Sequence, residues 1–173
     1  RAGGQGDKVA TTEHLAKDGD PTHHVEDGPV LVKAGASIAG RVFFDQNDNG
    51  DVDGAGDTGI SNVTLTLTGT DINGNPVSLT TTSNASGDYQ FVGLPPSNAA
   101  GYTITQDQTT VSGGYTGNGM PQPNTLRANR NGASNAGVTD KGTASNTATT
   151  SVISGIVVQN GGDGVQFDFP DYQ

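Results

Sequence analysis

The chain has 173 residues, and its 8 basic and 18 acidic side chains give a net charge of −10 at neutral pH. This charge excludes nucleic acid as a partner, because binding depends on Lys and Arg neutralising phosphates. The absence of Cys excludes disulfides and thiolate zinc sites. No apolar run approaches the roughly 20 residues that span a bilayer, so no membrane insertion is expected.

The first part of the chain, residues 1–35, is predicted to be an extended N-terminal arm. It is polar, shows no sustained periodicity and contains all three His of the chain, His14, His23 and His24. Such a segment buries too little apolar surface to fold alone. Its one β-prone run is a short strand predicted at 29–34, which carries Val30, Leu31 and Val32. The adjacent His pair has no third ligand at a suitable spacing, which favours a solvated arm over a zinc or copper site.

From residue 36 onward the pattern changes to short strands. The run Val63–Thr68 alternates Val or Leu with Thr, which is typical of a strand with one face in a core. An Asn73-Gly74 turn signal precedes another run and predicts a hairpin. The other strands are predicted at 38–44, 76–82, 88–92, 101–105, 151–158 and 165–169. In the first of these, Ile38, Val42 and Phe44 lie on one face and are expected to point into the core, with Phe43 on the other face.

These short strands and the 35 Gly and Pro residues predict an all-β fold. We expect an antiparallel β-sandwich of the Ig-like or prealbumin-like kind over residues 36–173, preceded by the extended arm. The region 111–150 is rich in Gly, Asn and Thr and is predicted to be a long loop. It is either an elaborated surface loop or contains weak edge strands.

Residues 45–57 form the densest group of polar residues, with five Asp, two Asn and no Lys or Arg. Oxygen-bearing side chains at alternating positions, followed by Gly50, repeat the opening of a calcium-binding loop. The alternative is a solvated acidic turn, since Asn, Asp and Gly are good turn formers. Mg²⁺ is disfavoured because it prefers waters and phosphates to a cage of protein ligands. The predicted Ca²⁺ ligands are Asp45, Asn47, Asn49, Asp51 through its main chain, Asp53 and Asp57.

Two motifs carry a resemblance to a known family. The first is Phe44-Asp45-x-Asn47-x-Asn49-Gly50-x-x-Asp53, continued by Gly56-Asp57-x-Gly59-Ile60-x-x-Val63. The second is Ser86-Gly87-Asp88-Tyr89-x-Phe91-x-Gly93-Leu94-Pro95-Pro96. Together they resemble the B-type, SdrD B-like, domain of the serine-aspartate repeat proteins of bacterial surfaces.

The resemblance covers about residues 37–169 and implies a calcium-stabilised β-sandwich outside the cell, with no catalysis. The loop departs from the usual pattern of the family at its end. Asp57 stands where the family has Glu, and one extra residue lies between Asp53 and Gly56. The shorter carboxylate puts bidentate closure of the calcium site in question.

These features predict a non-enzymatic, secreted structural protein at the bacterial cell surface. An arm that carries a single strand can pair with an exposed sheet edge, and repeated head-to-tail pairing produces a filament. We therefore expect a homo-oligomer that forms a fibril or surface layer. The alternative is an arm that pairs within its own chain or serves as a linker. An alternative is an adhesin module that binds a host ligand or glycan through 111–150. A carbohydrate-binding accessory module is a weaker alternative, because the chain has no Trp for stacking on sugars.

Overall fold

The computed structural model describes residues 35–50, 52, 54, 56–113, 117–123, 136–147 and 149–172. The predicted arm strand at 29–34 lies outside these residues. A short 3-10 turn, Gln108–Thr110, follows the sixth strand. The strands of the described residues are β1 (Ala36–Phe44), β2 (Thr58–Gly59), β3 (Thr64–Thr70), β4 (Pro76–Thr82), β5 (Asp88–Leu94), β6 (Tyr102–Asp107), β7 (Gly117–Asn118), β8 (Gln122–Pro123), β9 (Val138–Asn146), β10 (Thr150–Val158), β11 (Asp163–Gly164) and β12 (Phe167–Tyr172).

The strands form two sheets that enclose one hydrophobic core. In the larger sheet β1 is central, with β5 and β2 antiparallel on one side and β11 and β12 parallel on the other. The short strands β7 and β8 pair with β12. The second sheet has the antiparallel order β4-β3-β6-β10-β9. The structure thus confirms the predicted all-β sandwich.

The core follows the alternation that the sequence shows. On β3, Leu65 and Leu67 are fully buried, whereas the alternating Thr64, Thr66 and Thr68 are partly or fully exposed. The same period-two pattern directs one face of each long strand inward. The other fully or almost fully buried core residues are Ala36, Ile38, Val42, Ile60, Val63, Tyr89, Phe91, Leu94, Tyr102, Ile104, Ile153, Ile156, Val158, Phe167 and Phe169.

The strand β1 differs from its predicted pattern at one residue. Ile38 and Val42 are buried as expected, and Phe44 is partly buried against the core. Phe43, predicted to face outward, is also fully buried. Its register partners, Pro170 of β12 and Gly59 of β2, lie beside it in the sheet. Because the neighbouring Val42 and Phe43 point to opposite faces and are both fully buried, both faces of β1 are covered near its C-terminal end.

The region 111–150 is not a single loop. Residues 138–146 form the nine-residue strand β9, which pairs with β10 along most of its length. Most of its side chains are exposed, and it is rich in Thr, Ser, Asp and Gly. An edge strand of this kind needs no apolar face, so hydrophobic periodicity could not indicate it.

We expect Leu67→Ala to lower the free energy of unfolding by about 2–5 kcal/mol, because the buried side chain leaves a cavity. Its cross-strand partner Leu79 is 40% exposed and is the matched control. Leu79→Ala should cost less than half as much. Urea unfolding followed by circular dichroism measures both values, and equal losses would contradict the assigned core.

Candidate functional site: the acidic loop and the polar cluster beside it

The acidic loop begins where β1 ends and is attached there to the last strand. The backbone N–H of Asp45 donates to the C=O of Asp171 at 2.8 Å. The chain then turns sharply, with Asp48 at φ 53° and Gly50 at φ 74°. Both angles lie in the left-handed region, which favours Gly. The turn at Gly50 is the one that a calcium-loop pattern requires.

The Asp45 side chain organises the first half of the loop. It is only 2% exposed, although it is a carboxylate. Its Oδ1 accepts the N–H of Asn49 at 3.2 Å, and its Oδ2 accepts the N–H of Gly50 at 2.5 Å. The side-chain Oδ1 of Asn47 also accepts from Asn49, at 3.3 Å. Side-chain oxygens from two of the predicted ligands therefore converge on one backbone segment.

The end of the loop returns to its beginning. The Oδ1 of Asp57 accepts the N–H of Gln46 at 3.1 Å. Gly56 lies against the Gln46 side chain so closely that an added Cβ would fall 1.5 Å from its Oε1. Asp57, despite its short side chain and the extra residue before it, thus reaches the residue that follows Asp45.

The donors present fit a hard cation. Asp45 and Asp57 supply carboxylates at the two ends of the loop, and carboxylate and amide oxygens are ligands of Ca²⁺. The loop has no Lys or Arg to balance them. Asp51 and Asp53 lie outside the described residues. Within the described part of the chain, no three His, Cys, Asp or Glu side chains are grouped so as to hold a metal ion.

A buried polar cluster, formed by Gln106, Ser151 and Asp171, lies between the two sheets beside this loop. All three side chains are fully buried. The Nε2 of Gln106 donates to the Oδ2 of Asp171 at 2.7 Å, and Ser151 is the cross-strand neighbour of Gln106. The Asp171 Oδ1, the Gln106 Oε1 and the Ser151 Oγ have no hydrogen-bond partner.

The sequence interpretation missed this cluster, although a signal was present. Gln106 follows Tyr102 and Ile104 at the period of two that marks the inward face of β6, and Ser151 precedes Ile153 in the same way on β10. The predicted strands 101–105 and 151–158 place Gln106 just after one strand and Ser151 at the start of the other. The opposite sheet supplies Asp171, and only the fold shows that all three meet.

Burial raises the pKa of Asp171 from its ordinary value of 3.8 to about 6, because desolvation penalises the charged carboxylate. The nearby Gln108 amide and the hydrogen bond from Gln106 oppose this rise by favouring the charged form. The backbone of the same residue holds the acidic loop, and Phe44 is its register partner. The loop and the polar cluster are therefore joined through one residue.

The arrangement of strands and loop agrees with a family match over most of the chain. Residues 36–161 match the family described as the SdrD B-like domain. The chain belongs to the SdrD B-like domain family. This SdrD B-like domain is therefore an Ig-like module of bacterial surface proteins, and domains of this family are structural modules of such proteins.

The other comparisons add little to this assignment. No curated protein matches the chain.

In the described residues of this SdrD B-like domain, no helix is long and apolar enough to cross a membrane. His14, His23 and His24 of the arm lie outside the described residues, as do Val30, Leu31 and Val32.

The raised pKa of Asp171 predicts a pH-dependent stability. Between pH 3.8 and about 6 the folded chain keeps a proton that the unfolded chain has lost, so the free energy of unfolding falls as pH rises. At about 1.4 kcal/mol for each pKa unit, the loss is about 3 kcal/mol by pH 7. Asp171→Asn should remove it, so the variant gains stability relative to the parent between pH 4 and pH 7.

Urea unfolding at both pH values, with chelator present, measures this difference. Asp71→Asn is the control, because hydrogen bonds from Asn75 lower the pKa of Asp71 below 3.8. Its contribution to stability is present above the unfolded pKa and is lost only at lower pH, so the difference between this variant and the parent should change little between pH 4 and pH 7. A pH-independent difference between Asp171→Asn and the parent would contradict the assignment.

Proposed function

We propose that this chain is a secreted structural subunit of the bacterial cell surface. Calcium stabilises its sandwich, and its N-terminal arm joins it to a neighbouring copy in a fibril or surface layer. Membership of a family of structural surface modules supports the general role. The convergence of both ends of the acidic loop is the observation that supports the calcium.

In this proposal the ion is held by Asp45, Asn47, Asn49 and Asp57, with Asp53 and the main chain of Asp51 completing the set. A divalent cation would offset the repulsion between carboxylates that no basic side chain in the loop balances. Binding to the folded state alone would add its free energy to the stability of the sandwich. Because the chain has no Cys, calcium would replace the disulfides of other small extracellular domains.

The arm provides the assembly contact. Its β-prone run at 29–34 can add a strand to an unpaired sheet edge, where main-chain hydrogen bonds give affinity. If the edge belongs to a neighbour, the contact is heterologous and propagates as an open filament. The family match begins at residue 36, directly after the arm, so the arm is an addition to the common domain.

Calcium binding is tested by thermal unfolding with and without a chelator. Saturation at about 100 times the dissociation constant adds about 2.7 kcal/mol, which corresponds to a rise of roughly 10 °C in melting temperature. Asp45→Ala should abolish this response, since it removes the carboxylate at the start of the loop. Asp140→Ala, at an exposed Asp on β9, should keep it. An identical chelator response in Asp45→Ala and the parent would refute the site.

Assembly is tested by negative-stain electron microscopy of the full chain beside a chain that lacks residues 1–35. Filaments should form only with the arm, because the arm supplies the joining strand. A full-length variant with Val30, Leu31 and Val32 all changed to Ser keeps the arm length and should also fail to assemble. Monomers in every sample, the parent included, would overturn the proposal and favour an adhesin module.

A further inference from the structure

The hydrogen-bonding direction of β1 shows which backbone groups of β5 are used within the domain. The Val42 N–H donates to Gly87 at 2.8 Å, and its C=O accepts from Ile60 at 3.0 Å. Both groups of Val42 therefore point to the side of β1 on which β5 and β2 lie. Because this direction alternates along a strand, Gly40 and Ile38 point to the same side.

The opposite edge of β5 is consequently left unpaired within the described residues. Tyr89 and Phe91 are the register partners of β1 residues that point toward them, so their backbone groups pair with β1. Gln90, between them, directs its N–H and C=O groups the other way, and β1 is the only described strand that pairs with β5. Beyond Phe91 the register shifts, and Val92 lies in the bulge between the pairs Phe91–Ile38 and Leu94–Ala36. The C=O of Asp88, which belongs to the same set, is bonded to the preceding turn instead.

A groove with a volume of about 590 Å³ is lined by residues of β1, β4 and β5. The β5 residues are Asp88, Tyr89 and Gln90, and the other lining residues are Ala39, Gly40 and Arg41 of β1, Thr81 and Thr82 of β4, and Asn84. Arg41 forms an ion pair with Asp88 at 2.9 Å, which balances the charge of both. The groove therefore brings the backbone of Gln90 and the Thr hydroxyls together in a charge-balanced setting.

Exposed apolar side chains flank the edge on both faces of the sheet. Leu79 of β4 is 40% exposed and shares the inward face of its strand with Thr81, which lines the groove. Val92 of β5 is 62% exposed and follows the buried Phe91, so it lies on the outward face. A strand added here would contact an apolar side chain on each face. A strand covered on both faces is typically apolar at consecutive positions.

The arm contains such a run in Val30, Leu31 and Val32, where neighbouring residues are directed to opposite faces of a strand. Gly35 alone separates the run from β1, which is two strand spacings, about 9.6 Å, from the added position. The two steps from residue 34 to residue 36 span at most about 7.2 Å. All of 29–34 can therefore lie on this edge only when the run comes from a second copy.

The edge at the far end of the other sheet is protected. β9 pairs only with β10 among the described strands. It carries the exposed charges of Asp140 and Lys141, and Gly142 has a left-handed φ of 80°. Charged side chains and backbone irregularities are the usual devices that stop strands from pairing with an edge. β5 also has a bulge, with Gly93 at φ 68°, so the two edges differ in charge: β5 has no charged residue beyond Asp88.

We infer that the free edge of β5 is the acceptor for residues 29–34 of a second copy of this chain. This inference rests on the proposed arm-mediated assembly and specifies its receiving surface. Val30, Leu31 and Val32 pack against Leu79 on the inner face and Val92 on the outer face. The arm backbone pairs with Gln90, and each subunit donates an arm and receives one.

Cysteine cross-linking of the full chain tests the location, because the chain has no Cys of its own. Val32→Cys in the arm is combined with Gln90→Cys on β5, and in control chains with Ser78→Cys on β4 or Thr143→Cys on β9. Assembled samples are treated with a short bis-maleimide and separated on a denaturing gel. The pair with Gln90→Cys should give a ladder of dimers, trimers and higher species, while the controls stay mostly monomeric.

The outcomes separate this inference from the proposed function. Filaments that cross-link through β9 or β4, and not through β5, would overturn the acceptor edge and leave arm-mediated assembly intact. Failure of the parent chain to form filaments would overturn both. A ladder with Gln90→Cys that disappears when residues 1–28 alone are deleted would also count against the inference, because it requires only 29–34.

A matched pair of surface variants gives a second test. Val92→Lys places a charge beside the acceptor edge, whereas Ile72→Lys makes the same change at a residue that is 65% exposed in the β3–β4 turn. Val92→Lys should raise the concentration needed for assembly on the order of tenfold, because Lys at an edge opposes strand addition. Ile72→Lys should change it less than about twofold. Equal effects, at equal melting temperatures, would overturn the assignment to β5.

Discussion

The parallel pairing of β1 with β12 is the interaction on which the rest of the sandwich depends. Val42, Phe43 and Phe44 lie in register with residues 169–171, and the Asp45 N–H extends this ladder to the Asp171 C=O. Parallel strands cannot be joined by a tight turn, so the pairing forms only when distant parts of the chain meet. The acidic loop leaves β1 at this point. Order in the loop therefore affects the strand that closes the fold.

The surroundings of the β1–β12 pairing are polar in the interior of the sandwich as well as at its surface. Asp171 holds the loop with its backbone and directs its carboxyl into the buried polar cluster, where Gln106 satisfies only one of its oxygens. A buried polar group without a partner costs about 1–3 kcal/mol. Unpaired polar atoms are therefore buried where the acidic loop is attached. A cation that ordered the loop would support the domain at this place.

The edge strands of the two sheets also differ in how far they are blocked against pairing with a further strand. β9 is polar and charged, whereas β5 presents unpaired backbone groups beside exposed Leu79 and Val92. Sheet edges in proteins are normally blocked, because an open edge recruits other strands. An open edge on a domain that is preceded by an apolar strand-forming run is what a self-assembling subunit requires.

Local pattern alone determined most of the strands. The Thr and Leu alternation in β3 and the turn before β4 predicted their positions to within two residues, because period-two burial is written directly in the sequence. The same holds for the acidic loop, whose spacing placed its turn at Gly50. Tertiary structure decided which polar strands join the sheets and which residues from distant parts of the chain meet in the interior. β9 carries no apolar face, and Phe43 is buried by strands from elsewhere in the chain. Gln106, Ser151 and Asp171 belong to different strands, so their meeting depends on how the two sheets stack.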